Sequence, residues 1–143
     1  MKKAYPVIFT QTNDKKNTVL IEVPDFEILT EGFGLVNAIE MARDAIGLSG
    51  ITLEDMGKEI PEPTSIQSIR IDKAEFKDAG QNMVSMVDID FVAYRRRLDM
   101  RSVRRNVTLP KWLNQEAEQA GINVSKVLQE ALMSVLNLPN HYL

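Results

Sequence analysis

Residues 103–138 read VRRNVTLPKWLNQEAEQAGINVSKVLQEALMSVLNL, and their pattern predicts the architecture of the C-terminal part of the chain. Its opening, residues 103–109, is rich in β-branched side chains and predicts one strand. Pro110 suits the first turn of a helix that Gly121 would end. Asn123 can cap a second helix with one apolar face. The predicted order is therefore strand, helix, helix.

This short segment cannot complete its own structure. A single strand leaves its backbone donors and acceptors without partners, and roughly 36 residues bury too little apolar surface to fold alone. Two copies that pair their strands antiparallel would satisfy the ladder and let four helices close a shared core. We therefore predict a homodimer formed through the C-terminal strand.

Three polar side chains alternate along the predicted strand, which places Arg104, Asn106 and Thr108 on the exposed face of the two-stranded ribbon. Val107 and Leu109 point into the shared core. A two-stranded ribbon fits the major groove of B-DNA, where arginine reads guanine, asparagine reads adenine and threonine bonds a base edge or contacts a thymine methyl. The pattern predicts a DNA-binding surface.

The start of the second predicted helix suits a phosphate. Its first N–H groups, near Asn123 and Ser125, have no partner within a helix, and the positive end of the helix dipole lies there. Lys126 adds a charge. We therefore expect these three residues to hold the backbone of the bound DNA.

The charge distribution predicts two domains with different partners. Residues 1–94 carry nine Lys and Arg against sixteen Asp and Glu, whereas residues 95–143 carry eight against four. An acidic N-terminal part and a basic C-terminal part indicate two surfaces of opposite charge. We place the boundary so that residues 1–99 form one domain and residues 100–143 form the other.

The N-terminal domain is predicted to be of the α+β class. Residues 5–12 and 18–23 flank a polar turn and predict a hairpin. A third short strand over residues 26–30 precedes a break at residues 31–34, and the next apolar stripe predicts a helix that ends near Gly47. The remaining predicted elements are a short helix that opens at Thr52, a strand over residues 83–91 and a short helix capped by Asp90.

The composition excludes several kinds of chemistry. The chain has no cysteine, and its single histidine is His141, so neither a thiolate site nor a histidine-based triad can form. A nuclease that uses two metal ions needs several carboxylates that converge on those ions. The first predicted strand, residues 5–12, contains no acidic residue. We predict no catalytic residue, no metal site and no cofactor.

The sequence has no long apolar run and no signal-peptide core. We therefore expect a cytoplasmic protein and no membrane contact.

Two groups of motifs resemble known families. RNVTLP at 105–110 with GINVSKVLQEAL at 121–132 resembles the ribbon-helix-helix repressors. A second group resembles the HicB antitoxins: YPVIF at 5–9, VPD at 23–25, LTEG at 29–32, AIEMARDA at 38–45, IPEP at 60–63 and MVDID at 86–90.

The resemblance to HicB antitoxins implies a type II toxin-antitoxin protein. Its N-terminal domain would be a partial, degenerate RNase H-like domain that binds and inhibits a HicA-like toxin, an mRNA-cleaving ribonuclease. Its C-terminal ribbon-helix-helix domain would repress the shared operon by binding operator DNA. Family members with this C-terminal domain form dimers and often dimers of dimers.

The toxin-facing surface is predicted by its charge. A ribonuclease must attract RNA and is therefore usually basic, so an acidic domain complements it. We expect Glu22, Asp25 and Glu31 to contribute.

The alternative is a ribbon-helix-helix regulator whose N-terminal domain senses a small ligand. A neighbouring gene for a short basic protein would favour the toxin hypothesis, and a metabolic gene would favour the sensor.

Overall fold

The computed structural model describes residues 1–99 and 103–138. The chain divides into two compact units, Met1–Leu98 and Asp99–Leu143, one residue before the boundary placed from the sequence. His141 lies outside the described residues. None of the helices in the described ranges has the length and apolar character needed to cross a membrane.

The first unit is built on a four-stranded sheet. Its strands are β1 (Lys2–Gln11), β2 (Thr18–Val23), β3 (Ile28–Phe33) and β4 (Gln81–Asp90). They lie in the order β3, β2, β1, β4, and each neighbouring pair is antiparallel. This sheet, together with four helices in the described chain, confirms the predicted α+β class.

The predicted hairpin is confirmed, and one aspartate closes its turn. The carboxylate of Asp14 accepts hydrogen bonds from the backbone N–H and the hydroxyl of Thr18, at 2.9 and 2.6 Å. The bond from the Thr18 hydroxyl holds the pKa of Asp14 below its ordinary value. A short side chain that bonds nearby backbone is the usual reason for aspartate in such turns.

Alternation along β1 gives the sheet two faces. Tyr5, Val7 and Phe9 are fully buried in one cluster with the inward side of helix α1 (Leu35–Asp55). We call the opposite side the outer face. It is covered in part by the connector, defined as residues 56–80, whose Ala74 is buried beside Ile8.

Two predictions around this sheet were wrong in their boundaries. β3 continues through Glu31 to Phe33, and the break comes only at Gly34, whose φ is 83°. The helix after it does not end near Gly47, and no separate helix opens at Thr52. Instead α1 is a single helix of 21 residues that Gly57 terminates with φ 73°.

The glycines inside α1 have a packing role that the sequence pattern could not reveal. A Cβ at Gly47 would lie 2.6 Å from Cδ2 of Tyr94, and one at Gly50 would overlap the ring of Phe91. Both aromatic rings are buried. These glycines therefore let the two rings approach the helix backbone, and they do not stop the helix.

The rings come from helix α2 (Phe91–Leu98), which begins where β4 ends. The carboxylate of Asp90 accepts from the backbone N–H groups of Ala93 and Val92, at 3.2 and 3.1 Å, and these bonds lower its pKa. This confirms the predicted cap. At the other end of α2, Arg95 bonds Asp55 at 2.9 Å and ties the helix to the end of α1.

The second unit contains helix α3 (Lys111–Gln119) and helix α4 (Val124–Val135), as predicted. Gly121 adopts φ 66° after α3, and Asn123 caps α4. Residues 103–109, predicted to form a strand, have no secondary structure within the single described chain. The predicted strand pairs with its copy in a second subunit, and a single chain does not contain that partner.

The close approach at Gly50 gives a stability prediction. Gly50→Ala should lower the free energy of unfolding by about 1 to 3 kcal/mol, because the new methyl group overpacks the ring of Phe91. This is the net change in the free energy of unfolding, after the gain of about 1 kcal/mol that alanine brings in helix propensity. Urea unfolding measures the change, with Ser49→Ala on the same helix as the control. A Gly50→Ala protein as stable as the wild type would contradict this packing.

Candidate partner-binding surfaces

The segment at residues 103–109 is open to a partner. Among the described residues, none bonds its backbone. The three side chains predicted to read DNA, Arg104, Asn106 and Thr108, are all exposed. The structure therefore presents the predicted polar triplet on an unpaired piece of chain.

Within residues 103–138, the second unit has no buried core of its own. No residue of α3 or α4 is buried, and the side chains of Val135 and Trp112 are 78% and 66% exposed. Apolar groups cost free energy when they face water, so this surface favours association. The large apolar side chains exposed in this unit are Val103, Val107, Trp112, Leu113, Ile122, Val124, Val127, Leu132, Val135 and Leu136.

The beginning of α4 has the geometry expected of a capped helix. Oδ1 of Asn123 accepts from the backbone N–H of Lys126 at 3.1 Å. The cap therefore uses one of the N–H groups that the helix leaves free. Ser125 and Lys126 are exposed beside it. The three residues predicted to contact phosphate lie together in the first turn.

The three acids predicted to face a toxin lie around one edge of the first unit. Leu20 pairs with Glu31 and Glu22 pairs with Leu29, so Glu22 and Glu31 share the outer face. Asp25 lies in the short 3-10 turn Pro24–Phe26, between β2 and β3.

Two of these acids hold the connector against the sheet. The carboxylate of Asp25 accepts from the backbone N–H and the hydroxyl of Thr64, at 2.9 and 2.5 Å. One oxygen of Glu22 accepts from the backbone N–H of Glu75 at 3.2 Å. Glu31 is exposed and forms no hydrogen bond or ion pair with another described residue. The three acids therefore differ in how free they are to meet a partner.

The N-terminal end of the connector is fixed by two further contacts. The hydroxyl of Tyr5 donates to the carbonyl oxygen of Pro61 at 2.7 Å, and Lys3 pairs with Glu62 at 2.5 Å. Burial, with help from Glu62 and Asp25, raises the pKa of Tyr5 to about 12. The phenol therefore stays protonated and can donate at any physiological pH.

Sequence reasoning missed two acids of this surface. Glu27 and Glu75 are exposed and line a cleft of about 280 Å³ together with Glu22 and Leu29. Glu27 lies two residues after Asp25 in the sequence, and this proximity could have indicated that Glu27 belongs to the same surface. Glu75 lies in an irregular segment whose path over the sheet depends on tertiary contacts, and no local signal places it there.

The first unit also has an apolar groove of about 590 Å³ between the 3-10 turn, Pro61 and the outward side of α1. Phe26, Leu48 and Leu53 line it, and its acids are Asp25 and Glu27. Nothing in this lining resembles a catalytic or metal-binding arrangement. Among the described residues, no group of three His, Cys, Asp or Glu could hold a metal ion.

The two carboxylates at the end of β4 have structural partners. Asp88 pairs with Arg43 at 3.0 Å, and Asp90 caps α2. These contacts account for both side chains in the sheet.

Comparisons with known proteins agree with the motif resemblance. The model of the family described as HicB_like antitoxin of bacterial toxin-antitoxin system matches residues 5–131. No curated protein matches the chain. A chain of a toxin-antitoxin complex from Streptococcus pneumoniae is 28% identical, over 94% of this chain and 99% of that one, with a TM-score of 0.57. The antitoxin HicB of Burkholderia pseudomallei is 21% identical, over 94% and 96%, with a TM-score of 0.48.

The clamp between Asp25 and Thr64 can be tested by mutation. Asp25→Ala should lower the free energy of unfolding by about 1 kcal/mol, because two hydrogen bonds to an exposed carboxylate are lost. The released connector should also be cut faster by a protease within residues 61–80. Glu27→Gln in the same turn is the control, and it should behave as the wild type. Equal cleavage rates in all three proteins would show that Asp25 does not hold the connector.

Proposed function

The chain belongs to the HicB-like antitoxins of bacterial toxin-antitoxin systems, and from this premise we propose that it neutralises a HicA-like, mRNA-cleaving toxin and represses its own operon. Residues 1–99, taken as a partial RNase H-like domain, bind the toxin. Residues 100–143, taken as a ribbon-helix-helix domain, bind operator DNA and a second copy of the chain. Neither activity requires the protein to be an enzyme.

The acidic edge of the first unit supports toxin binding. Glu22 and Glu31 share the outer face of the sheet, and Asp25 lies in the turn between β2 and β3. Glu27 and Glu75 line a cleft together with Glu22. Negative charge attracts a basic ribonuclease and speeds the encounter. The domain then inhibits by covering the surface with which the toxin binds RNA, so no bond is made or broken. A similar chain comes from a toxin-antitoxin complex.

The single observation that carries the repressor half of the proposal is the unpaired segment at residues 103–109. A second copy supplies the missing backbone partners through an antiparallel two-stranded ribbon. Their four helices then bury apolar side chains that one chain leaves exposed. The result is a dimer, and dimers of this kind can pair into dimers of dimers.

The DNA contacts follow from that ribbon. Arg104, Asn106 and Thr108 face the major groove and read base edges. Asn123, Ser125 and Lys126, repeated at two helix starts in the dimer, hold phosphates on either side. The base contacts determine sequence preference, and the phosphate contacts determine position and most of the salt dependence.

The test of this function is the mass of the complex that forms when the chain is expressed with the toxin encoded beside it. Native mass spectrometry should show both proteins together with an even number of antitoxin chains, and the toxin should lose its RNA cleavage activity. A chain that purifies alone from such cells would contradict toxin binding. That outcome would favour the ligand-sensing regulator as the alternative.

The DNA surface makes a separate prediction. Arg104→Ala and Asn106→Ala should each weaken operator binding by about 1 to 3 kcal/mol and relax base preference, because each removes a base contact. Lys126→Ala should weaken binding to all sequences and reduce the salt slope by about one phosphate contact. Titrations at several salt concentrations measure both effects, and toxin binding is the control. Unchanged operator affinity in the first two variants would exclude them from the site.

A further inference from the structure

β3 is an edge strand, and the hydrogen-bond alternation shows which of its backbone groups are free. The N–H of Thr12 donates to the carbonyl oxygen of Thr18 at 3.1 Å, so Thr18 bonds toward β1. In an antiparallel sheet successive residues bond to opposite sides. Residues 20 and 22 of β2 therefore also bond toward β1, and residues 19, 21 and 23 bond toward β3.

The same alternation carries over to β3. Residues 28, 30 and 32 pair with residues 23, 21 and 19, so their backbone groups point toward β2. The backbone groups of Leu29, Glu31 and Phe33 point away from the sheet. One contact supports this assignment, because the N–H of Phe33 donates to Oδ1 of Asn37 at 2.8 Å, outside the ladder. Leu29 and Glu31 therefore have four backbone hydrogen-bonding groups that bond no other described residue, and we call these groups the β3 edge.

The side chains at this edge suit a protein partner. Leu29, Glu31 and Phe33 share the outer face, and Leu29 and Phe33 are 52% and 54% exposed. Phe33 is an aromatic residue of the kind enriched at protein interfaces, and Leu29 adds apolar area beside it. An exposed edge strand with such side chains is also open to pairing with another chain.

The other edge of the sheet is less suitable. β4 offers the outward backbone groups of Val84 and Met86, but Arg43 donates from Nε to the carbonyl oxygen of Asp88 at 3.0 Å and pairs with its carboxylate. One end of that edge is therefore covered by an arginine, and the nearby acid is neutralised. By contrast, among the described residues none forms an ion pair with Glu27, Glu31 or Glu75.

We propose that the β3 edge receives an extended segment of the basic toxin, which adds a fifth strand to the sheet. Backbone groups of that segment bond Leu29 and Glu31, as in other cases of strand addition. Its apolar side chains pack on Leu29 and Phe33, and its Lys or Arg side chains pair with Glu31 and the neighbouring acids. The proposal rests on the toxin-binding function and specifies where and how the toxin docks.

Amide hydrogen exchange of the full-length protein, alone and saturated with the toxin encoded beside it, tests this directly. In the free protein the amides of Leu29 and Glu31 should exchange rapidly, because they face solvent. In the complex both should slow by about 100-fold or more, while the amides of Val84 and Met86 keep their rates. A complex that forms with unchanged rates at Leu29 and Glu31 would overturn the proposal. Slowing at Val84 and Met86 alone would place the toxin at β4 and would overturn it as well.

A matched pair of proline variants provides a second test. Glu31→Pro removes one outward N–H without touching a bond to β2, because proline is tolerated where an edge N–H faces solvent. Toxin affinity should fall by about five- to tenfold or more, and Glu31→Gln, which removes only the charge, should cost about twofold. Val84→Pro on β4 should leave affinity unchanged. Urea midpoints of all variants establish that the first unit remains folded.

These outcomes separate the docking mode from the function. If the wild type binds no toxin, the proposed antitoxin function fails. If the wild type binds and Glu31→Pro binds equally well, the function stands and the strand-addition mode is wrong. If Glu31→Gln loses as much affinity as Glu31→Pro, the contact is made through charge and not through the backbone, which also contradicts strand addition.

Discussion

The second unit is governed by a backbone constraint: an N–H or C=O group that is removed from water must find a hydrogen-bond partner. Residues 103–109 have none among the described residues, and the helices that follow them bury no side chain completely. Pairing with a second copy would stabilise such a segment, because one symmetric contact supplies hydrogen-bond partners to both strands and covers the apolar side chains of both helix pairs. In the proposed dimer, the ribbon that joins the subunits would also present Arg104, Asn106 and Thr108 to DNA.

The first unit is of a different kind, because it completes its core within one chain. The helix α1 lies against one face of the sheet, and the connector lies on part of the other. Its sheet has an open edge at β3, with exposed acids around it. The two units therefore each have an unsatisfied surface. The first unit is acidic, with twelve Lys and Arg against sixteen Asp and Glu, whereas the second carries five against four. In the proposed function a copy of the chain completes the second unit, and a different protein binds the first.

Local signals in the sequence were sufficient for much of this fold. The hairpin, β4, the Asp90 cap and both C-terminal helices follow from alternation, turn residues and capping residues that act over a few positions. The length of α1 could not be predicted in that way. Gly47 was predicted to end the helix, but Gly47 and Gly50 instead accommodate the rings of Tyr94 and Phe91, which lie far away in the sequence. The same limit applies to the acidic surface, because Glu75 reaches it only through the path of the connector.

Pairing of residues 103–109 between two chains can be measured directly by isotope-filtered NMR on a mixture of labelled and unlabelled full-length chains. We expect contacts between backbone amide protons of residues 103–109 in one subunit and those of its partner, in the pattern of an antiparallel ribbon. A monomer would contradict the account. So would a dimer in which residues 103–109 show contacts only within their own chain.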